Sequence, residues 1–171
     1  PNDVVCTGVE EKMGIHGNAT CSLALGGKGG CRGTLLGEEN KGMRAMFLMM
    51  NEARLLVGTQ GLACAGPAYL YALQYARERL QGRHLLKTFD KNAPPVAIIQ
   101  HPDVRRMLML MKVWVEGMRS LLYYVGYLND LRDTAGSPEQ AARHQGLIDV
   151  LIPIAKGYVT ERACEVCNLG I

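Results

Sequence analysis

The spacing of hydrophobic positions changes character near residue 42. Residues 1–41 are rich in glycine and β-branched residues. Short alternating runs at Val4-Val5-Cys6 and from Thr20 to Leu25 predict strands, and the glycines of 26–30 predict a turn between two strands. Strands this few and this short cannot form an independent sheet. We therefore expect them to be the last part of a β-domain whose earlier part is missing from this sequence.

From Met43 onward the hydrophobic period is that of an α-helix. A first long helix is predicted to run to about Leu86, with a kink or local break at its internal glycines and proline, which are Gly58, Gly61, Gly66 and Pro67. A second helix is predicted to begin at His101-Pro102-Asp103, where proline takes the first helical position, and to continue to about Thr134.

The third helix has the clearest start signal in the chain. Ser137 stands three residues before Gln140 with Pro138 between them, which is the pattern of an N-capped helix. Five apolar residues then follow one face, namely Leu147, Val150, Leu151, Ile154 and Tyr158. Three helices of this length predict a mainly α fold, an antiparallel up-and-down bundle preceded by a few strands.

The second helix is apolar around most of its circumference. Its apolar residues are Met107, Leu108, Met109, Leu110, Met111, Val113, Trp114 and Val115. Its polar residues form one narrow stripe of Arg105, Lys112, Glu116 and Arg119. A helix of this kind must be covered by more than one neighbour, either further helices of the same chain or another subunit, so we expect an oligomer.

Composition narrows the class of protein. The 171 residues carry a formal net charge of only +3, which gives no support for a nucleic-acid partner. The sequence contains neither an apolar run long enough to span a membrane nor a signal-peptide pattern, and we expect a cytoplasmic protein. The six cysteines are interpreted as buried small hydrophobic residues, and the single C-x-x-C at Cys164 and Cys167 does not predict a redox or metal site.

Two groups of residues could carry chemistry. Asn51-Glu52-Ala53-Arg54 places an arginine on an apolar helix, where its partner is either an intrachain carboxylate or an anionic ligand. The basic residues Arg77, Arg79, Arg83 and His84 near the end of the first helix are either a solvated helix terminus or a phosphate site. The residues alone leave both pairs of alternatives open.

Five segments together resemble the acyl-CoA dehydrogenase family, and the resemblance covers essentially the whole chain. The forms G-I-H-G, M-M-N-E-A-R and H-P-D-V-R-R-M-L are most similar to the branch that contains 3-methylmercaptopropionyl-CoA dehydrogenases. The segments are 11–20, 36–43, 51–54, 75–83 and 101–108.

The resemblance implies a domain assignment and a reaction. It implies that residues 1–41 are the C-terminal part of the middle β-barrel domain with its linker, and that residues 42–171 are most of the C-terminal helical domain. The implied parent enzyme oxidises an acyl-CoA thioester to the trans-2-enoyl-CoA, transferring the β-hydrogen as hydride to FAD. An electron-transferring flavoprotein is the implied electron acceptor.

The resemblance also implies roles for particular residues. Asn51 and Arg54 fall on the family motif that contacts the acyl-CoA. Arg79 falls on the arginine that contacts the FAD diphosphate of the neighbouring subunit, and Gln81 stands beside it. A guanidinium suits that task because it offers a rigid fork of donors to two phosphate oxygens. The position before Arg54, which holds the catalytic glutamate in some members, is Ala53.

No catalytic residue is therefore assigned within this sequence, and the fragment is expected to be inactive alone. Two other classes of function stay open at this point. One is a helical oligomerisation module without catalysis, and the other is a flavin-containing homologue that binds DNA. A flavin bound to the purified protein favours the enzyme over the oligomerisation module, and DNA affinity that falls steeply with salt favours the DNA-binding homologue.

Overall fold

A computed structural model describes residues 2–171. It contains two strands and three long helices, and these residues divide into two compact units between Ala45 and Met46. The predicted fold class, a bundle of long helices preceded by a few strands, is confirmed. The assignment of residues 1–41 and 42–171 to two named domains of the family stays a prediction.

The first unit contains an antiparallel pair of strands. Strand β1, Val4–Val9, pairs with strand β2, Cys21–Leu25, and the register shifts between Cys6 and Gly8, which leaves Thr7 as a bulge. Nearly every residue of both strands is exposed, as expected for strands that have no second layer. The turn prediction at 26–30 was wrong in one respect, because in the described residues this segment follows β2 and leads into no further strand.

The first long helix, α1, spans Gly42–Glu78. It continues through Gly58, Gly61 and Pro67, so the predicted local break does not occur. The prediction that this helix reaches Leu86 was also wrong, because the chain leaves the helix at Arg79 and becomes extended. Backbone pairing with a segment near residue 97 replaces the helical hydrogen bonds there.

Helices α2, Pro102–Asp133, and α3, Pro138–Gly170, begin where the sequence predicts. Each has proline at its first turn, where the missing N–H costs no intrahelical hydrogen bond. The Ser137 hydroxyl accepts a hydrogen bond from the Gln140 N–H at 3.3 Å, which confirms the predicted N-cap of α3.

The core lies between the three helices. The largest fully buried side chains come from α2 and α3, namely Met111, Met118, Val125, Ile148, Val159 and Val166. Residues 71–76 of α1 line one cleft with the start of α2 and the end of α3, while residues 48–55 line another with the end of α2 and the start of α3. Helix α2 therefore runs antiparallel to both α1 and α3, as predicted.

The buried face of α3 differs from the face that the sequence suggested. Ile148, Ile152, Ala155 and Val159 are buried, whereas Val150 is 62% exposed. Apolar residues occupy more than one face of this helix, so their period alone does not select the side that packs on α2. The remaining members of the suggested face are half-buried or exposed, namely Leu147, Leu151, Ile154 and Tyr158.

Glycines let α1 approach its neighbours closely. A Cβ added at Gly61 would lie 3.4 Å from the Cβ of Ala163 and 3.4 Å from Cγ1 of Val159. A Cβ added at Gly58 would lie 3.1 Å from Cδ2 of Leu122. The two glycines therefore fix how deeply α1 sits against α2 and α3, and α1 carries all the residues of the first candidate site.

One expectation about buried surface, that of buried cysteines, needs correction. Five of the six cysteines are exposed and Cys167 is half-buried, so the interpretation of all six as core residues was wrong. Those in the first unit lie on or beside a two-stranded ladder that nothing covers within that unit. Helix α2 also leaves Met109, Val113 and Tyr123 exposed after packing on its neighbours. None of the helices in residues 2–171 is long and apolar enough to cross a membrane.

Candidate functional site

The first candidate site lies on the N-terminal half of α1. Asn51 and Arg54 stand one helical turn apart, and Nη1 of Arg54 donates to Oδ1 of Asn51 at 3.2 Å. The Arg54 guanidinium also lies over the Phe47 ring, 5.6 Å from its centroid. No carboxylate lies within ion-pair distance of Arg54 in the described part of the chain. The intrachain ion pair is therefore not formed, and a half-buried cation keeps donors for another partner.

Asn51 also faces residues that the sequence did not single out. It lines a cleft of about 410 Å³ together with Arg132 and Gln145, whose side chains hydrogen-bond each other at 3.1 Å from Nη1 to Oε1. The floor of the cleft is apolar and includes Ile148 and Ile152. No local motif marks Arg132 or Gln145, because only the packing of three helices brings them to Asn51.

The second candidate site lies where α1 gives way to an extended segment. The N–H of Gln81 donates to the Val96 carbonyl at 3.0 Å, and the N–H of Val96 donates to the Gly82 carbonyl at 2.9 Å. The Arg79 carbonyl accepts from the N–H of Ile98 at 2.9 Å. Residues 79–82 and 96–98 thus form a short antiparallel pairing at the base of the connection between α1 and α2.

This pairing changes how Arg79 and Gln81 relate to each other. In a helix, residues two apart point in nearly opposite directions, but in an extended segment they lie on the same face. Both side chains are exposed, and in residues 2–171 no carboxylate lies within ion-pair distance of Arg79. The extended backbone therefore predicts that the guanidinium and the carboxamide share one surface, and both can donate hydrogen bonds to phosphate oxygens.

The other basic residues of this region have structural roles. Nη2 of Arg83 donates to the Lys91 carbonyl at 2.9 Å, and Nδ1 of His84 accepts from the Leu86 N–H at 3.3 Å. Both contacts order the connection itself. Arg77 lies in the last turn of α1 and complements the helix dipole. Of the basic cluster seen in the sequence, Arg79 is the member held in the paired segment with a free guanidinium.

His101 is a positioning residue that the sequence did not identify. Its Nε2 lies 2.7 Å from the Gln81 carbonyl oxygen, and its ring packs beside Gly82. Gly82 has a φ of +70°, a conformation that glycine adopts without strain. Together these contacts hold the backbone that presents Arg79 and Gln81. The sequence contains both Gly82 and, at the start of α2, His101. No local pattern links them, because the contact joins residues about twenty positions apart.

The two sites are far from each other. Arg54 and Arg79 are separated by 25 positions (79 − 54), which corresponds to about 37 Å along a helix. Arg54 lies within the N-terminal half of α1 and Arg79 directly follows its last residue, so the two do not form one compact site within this chain. The described residues also contain no cluster of three or more histidine, cysteine, aspartate or glutamate side chains suited to a metal ion.

Comparison with known proteins identifies the family. Residues 40–171 match the family described as "Acyl-CoA dehydrogenase, C-terminal domain". A butyryl-CoA dehydrogenase from Syntrophomonas wolfei is 41% identical over 99% of this chain and 28% of its own length. A 3-methylmercaptopropionyl-CoA dehydrogenase from Ruegeria pomeroyi is 42% identical over 99% of this chain and 28% of its own length.

A third relative, a broad-specificity linear acyl-CoA dehydrogenase from Mycobacterium tuberculosis, is 41% identical over 95% of this chain and 27% of its own length. The chain belongs to the acyl-CoA dehydrogenase family, and its helical unit falls within the C-terminal domain of that family. The chain spans about 28% of the length of the curated relatives it matches.

Proposed function

We propose that the complete protein containing this chain is a flavin-dependent acyl-CoA dehydrogenase that oxidises an acyl-CoA thioester to the trans-2-enoyl-CoA. Identity of 41–42% to acyl-CoA dehydrogenases across nearly the whole chain is the observation that carries this proposal. 3-Methylmercaptopropionyl-CoA is one candidate substrate, because one of these relatives is named for it. A straight-chain acyl-CoA is the other, because two relatives are named for such substrates.

Arg79 and Gln81 are the proposed contacts to FAD. The fit is supported by the free guanidinium of Arg79, by the shared face of the two side chains, and by the paired backbone that fixes them. A diphosphate is a suitable partner because its oxygens accept two parallel N–H donors from a guanidinium. FAD, when bound, supplies the acceptor for the hydride from the acyl chain.

Asn51 and Arg54 are the proposed contacts to the acyl-CoA. Arg54 is half-buried on α1 and retains donors beyond the one bound to Asn51. A cation that is partly removed from water interacts more strongly with an anionic or carbonyl oxygen than an exposed cation does. The proposed task of this pair is to orient the thioester carrier, and the proton chemistry lies elsewhere. We assign no catalytic residue to these 171 positions, since Ala53 has no group that accepts a proton.

The separation of the two sites supports an oligomer. Because Arg79 lies about 37 Å from Arg54 along α1, we propose that Arg79 serves the flavin of a second copy, while Arg54 serves the substrate of its own copy. A homodimer or homotetramer satisfies this arrangement, and the exposed apolar residues of α2 provide surface for it. An electron-transferring flavoprotein is the proposed electron acceptor, and the cytoplasm is the proposed location.

Arg79→Ala tests the cofactor assignment in the complete protein. A lost charge-assisted hydrogen bond costs about 1.5–3 kcal/mol, so the Kd for FAD should rise roughly 10- to 150-fold while the helix content is unchanged. Arg77→Ala is the matched control, since it removes the same charge two positions away. Equal flavin retention in the two variants would refute the assignment of Arg79.

Arg54→Ala tests the substrate assignment. We expect KM for the acyl-CoA to rise while flavin content is retained, because the contact is to the substrate carrier. Arg119→Ala, an exposed arginine on α2, is the control for loss of one positive charge. A change confined to the melting temperature would show that Arg54 only stabilises the helix through Asn51 and Phe47.

A further inference from the structure

Two cysteines lie on one face of the hairpin in the first unit. Cys6 of β1 is directly opposite Leu23 of β2, and Cys21 stands two residues from Leu23 on the same strand. Directly opposite residues share a face of the ladder, and so do residues two apart on a strand. Cys6 and Cys21 are therefore diagonal neighbours on the same face, although fourteen residues separate them in the sequence.

The side chains of Cys6 and Cys21 influence each other. The Cys6 S–H donates to the Gly8 carbonyl at 3.3 Å. A hydrogen bond between the Cys21 and Cys6 side chains raises the pKa of Cys21 above its usual value. Both residues are exposed, so a small molecule in solvent reaches them within this unit.

The bulge at Thr7 gives the strands freedom to close on each other. Diagonal neighbours in a regular ladder have Cα atoms about 7–8 Å apart, slightly beyond the range of about 4.4–6.8 Å that a disulfide spans. A bulge bends and twists its strand locally, and Thr7 is the unpaired residue between Cys6 and Gly8. Because neither face of the hairpin is packed within the unit, a small backbone shift at the bulge can bring Cys6 and Cys21 into that range.

We propose that Cys6 and Cys21 form a redox-active dithiol, which closes to an intramolecular disulfide by exchange with a small-molecule disulfide such as oxidised glutathione. This proposal depends only on the hairpin and not on the function proposed above.

The exchange balances in two steps. The thiolate of one cysteine attacks a sulfur of the small disulfide, forms a mixed disulfide and releases one small thiol, which takes up a proton. The second cysteine then attacks the protein sulfur of that mixed disulfide, and its proton leaves with the second small thiol. The two protein thiols are oxidised, one small disulfide is reduced to two thiols, and no other reactant is consumed.

The disulfide would tie together the base of the loop between the strands. Beyond the strand ladder itself, that base is held by a backbone bond from the Glu10 N–H to the Thr20 carbonyl at 2.8 Å. Within the loop, Lys12 Nζ binds the Asn18 carbonyl, and the Asn18 N–H donates to the Ile15 carbonyl at 3.2 Å. A covalent link at Cys6 and Cys21 would therefore restrict opening of the whole loop, and reduction would release it.

The experiment treats the complete, reduced protein with oxidised glutathione, blocks the remaining thiols, and digests it with trypsin without reductant. Cleavage after Lys12 separates the two cysteines, so the disulfide joins the peptide that ends at Lys12 to the peptide 13–28. We expect this linked pair and the loss of two free thiols per chain. Cys31→Ser is the matched control, because Cys31 lies outside both strands, and it should give the same linked pair.

Cys6→Ser and Cys21→Ser should each abolish the linked pair and leave a glutathione adduct on the cysteine that remains. The proposal is wrong if wild type keeps a stable glutathione adduct on Cys6 or Cys21 instead of the linked peptides. It is also wrong if neither thiol reacts, or if the Cys31→Ser variant loses the linked pair.

Discussion

The close approach of α1 to α3 at Gly61 gives the sharpest test of the bundle. A Cβ at this position would already be in van der Waals contact with Ala163 and Val159, at 3.4 Å from each. A Cγ would extend about 1.5 Å farther, into space that these two buried residues fill. Overpacking of this kind costs about 1–3 kcal/mol, so Gly61→Leu should destabilise the protein relative to a glycine replacement in open space.

Gly157→Leu on α3 is the matched replacement, because nothing lies within 4 Å of a Cβ added there. Both substitutions gain the same helix propensity, so the difference between them isolates packing. Urea unfolding of the two variants should give free energies of unfolding that differ by about 1–3 kcal/mol. If Gly61→Leu is as stable as Gly157→Leu, α1 does not pack on α3 as described, and the placement of the sites on α1 loses its basis.

Three further predictions concern the helices. Met118→Ala should cost about 2–5 kcal/mol of unfolding free energy, because Met118 is fully buried. Met109 is exposed, so Met109→Ala should cost far less. Equal losses would contradict the assigned buried face of α2. Ser137→Ala should cost about 0.5–2 kcal/mol in the same assay, and no loss would contradict the cap of α3. The hydrogen bond from Arg132 lowers the pKa of Asp133, so its stabilisation is present above about pH 4 and is lost as pH falls through the lowered pKa. The stability difference between wild type and Asp133→Asn should therefore shrink below about pH 4, and a constant difference would contradict the pairing.

Local signals in the sequence predicted the starts of α2 and α3. His101-Pro102-Asp103 and Ser137-Pro138 act through the first turn of a helix, where the side chain and the backbone group that it satisfies lie within four residues. Such signals need no knowledge of the rest of the fold. They were correct within one or two residues of the observed starts.

Features that depend on distant partners were not predictable in this way. The end of α1 is set by backbone pairing of Arg79–Gly82 with residues 96–98, which no local pattern around Arg79 reveals. The helical interpretation would have placed Arg79 and Gln81 on opposite sides, whereas the extended backbone of the paired segment predicts the same side. In the same way, Arg132 and Gln145 reach Asn51 only through the packing of three helices.

The identities of the candidate site residues came from family resemblance, and the structure adds their surroundings. Arg54 has a polar and an aromatic neighbour rather than a carboxylate, and Arg79 retains a free guanidinium within the described residues. Both observations leave each arginine able to bind an anion. The assignment of one to the acyl-CoA and the other to FAD stays a prediction.

One measurement tests the central claim most directly, namely the anaerobic visible spectrum of the purified, complete protein during titration with acyl-CoA thioesters. The account predicts a bound flavin whose visible absorption bleaches when a straight-chain acyl-CoA or 3-methylmercaptopropionyl-CoA is added, with formation of the matching enoyl-CoA. A protein that binds no flavin, or a bound flavin whose spectrum no acyl-CoA changes, would contradict it.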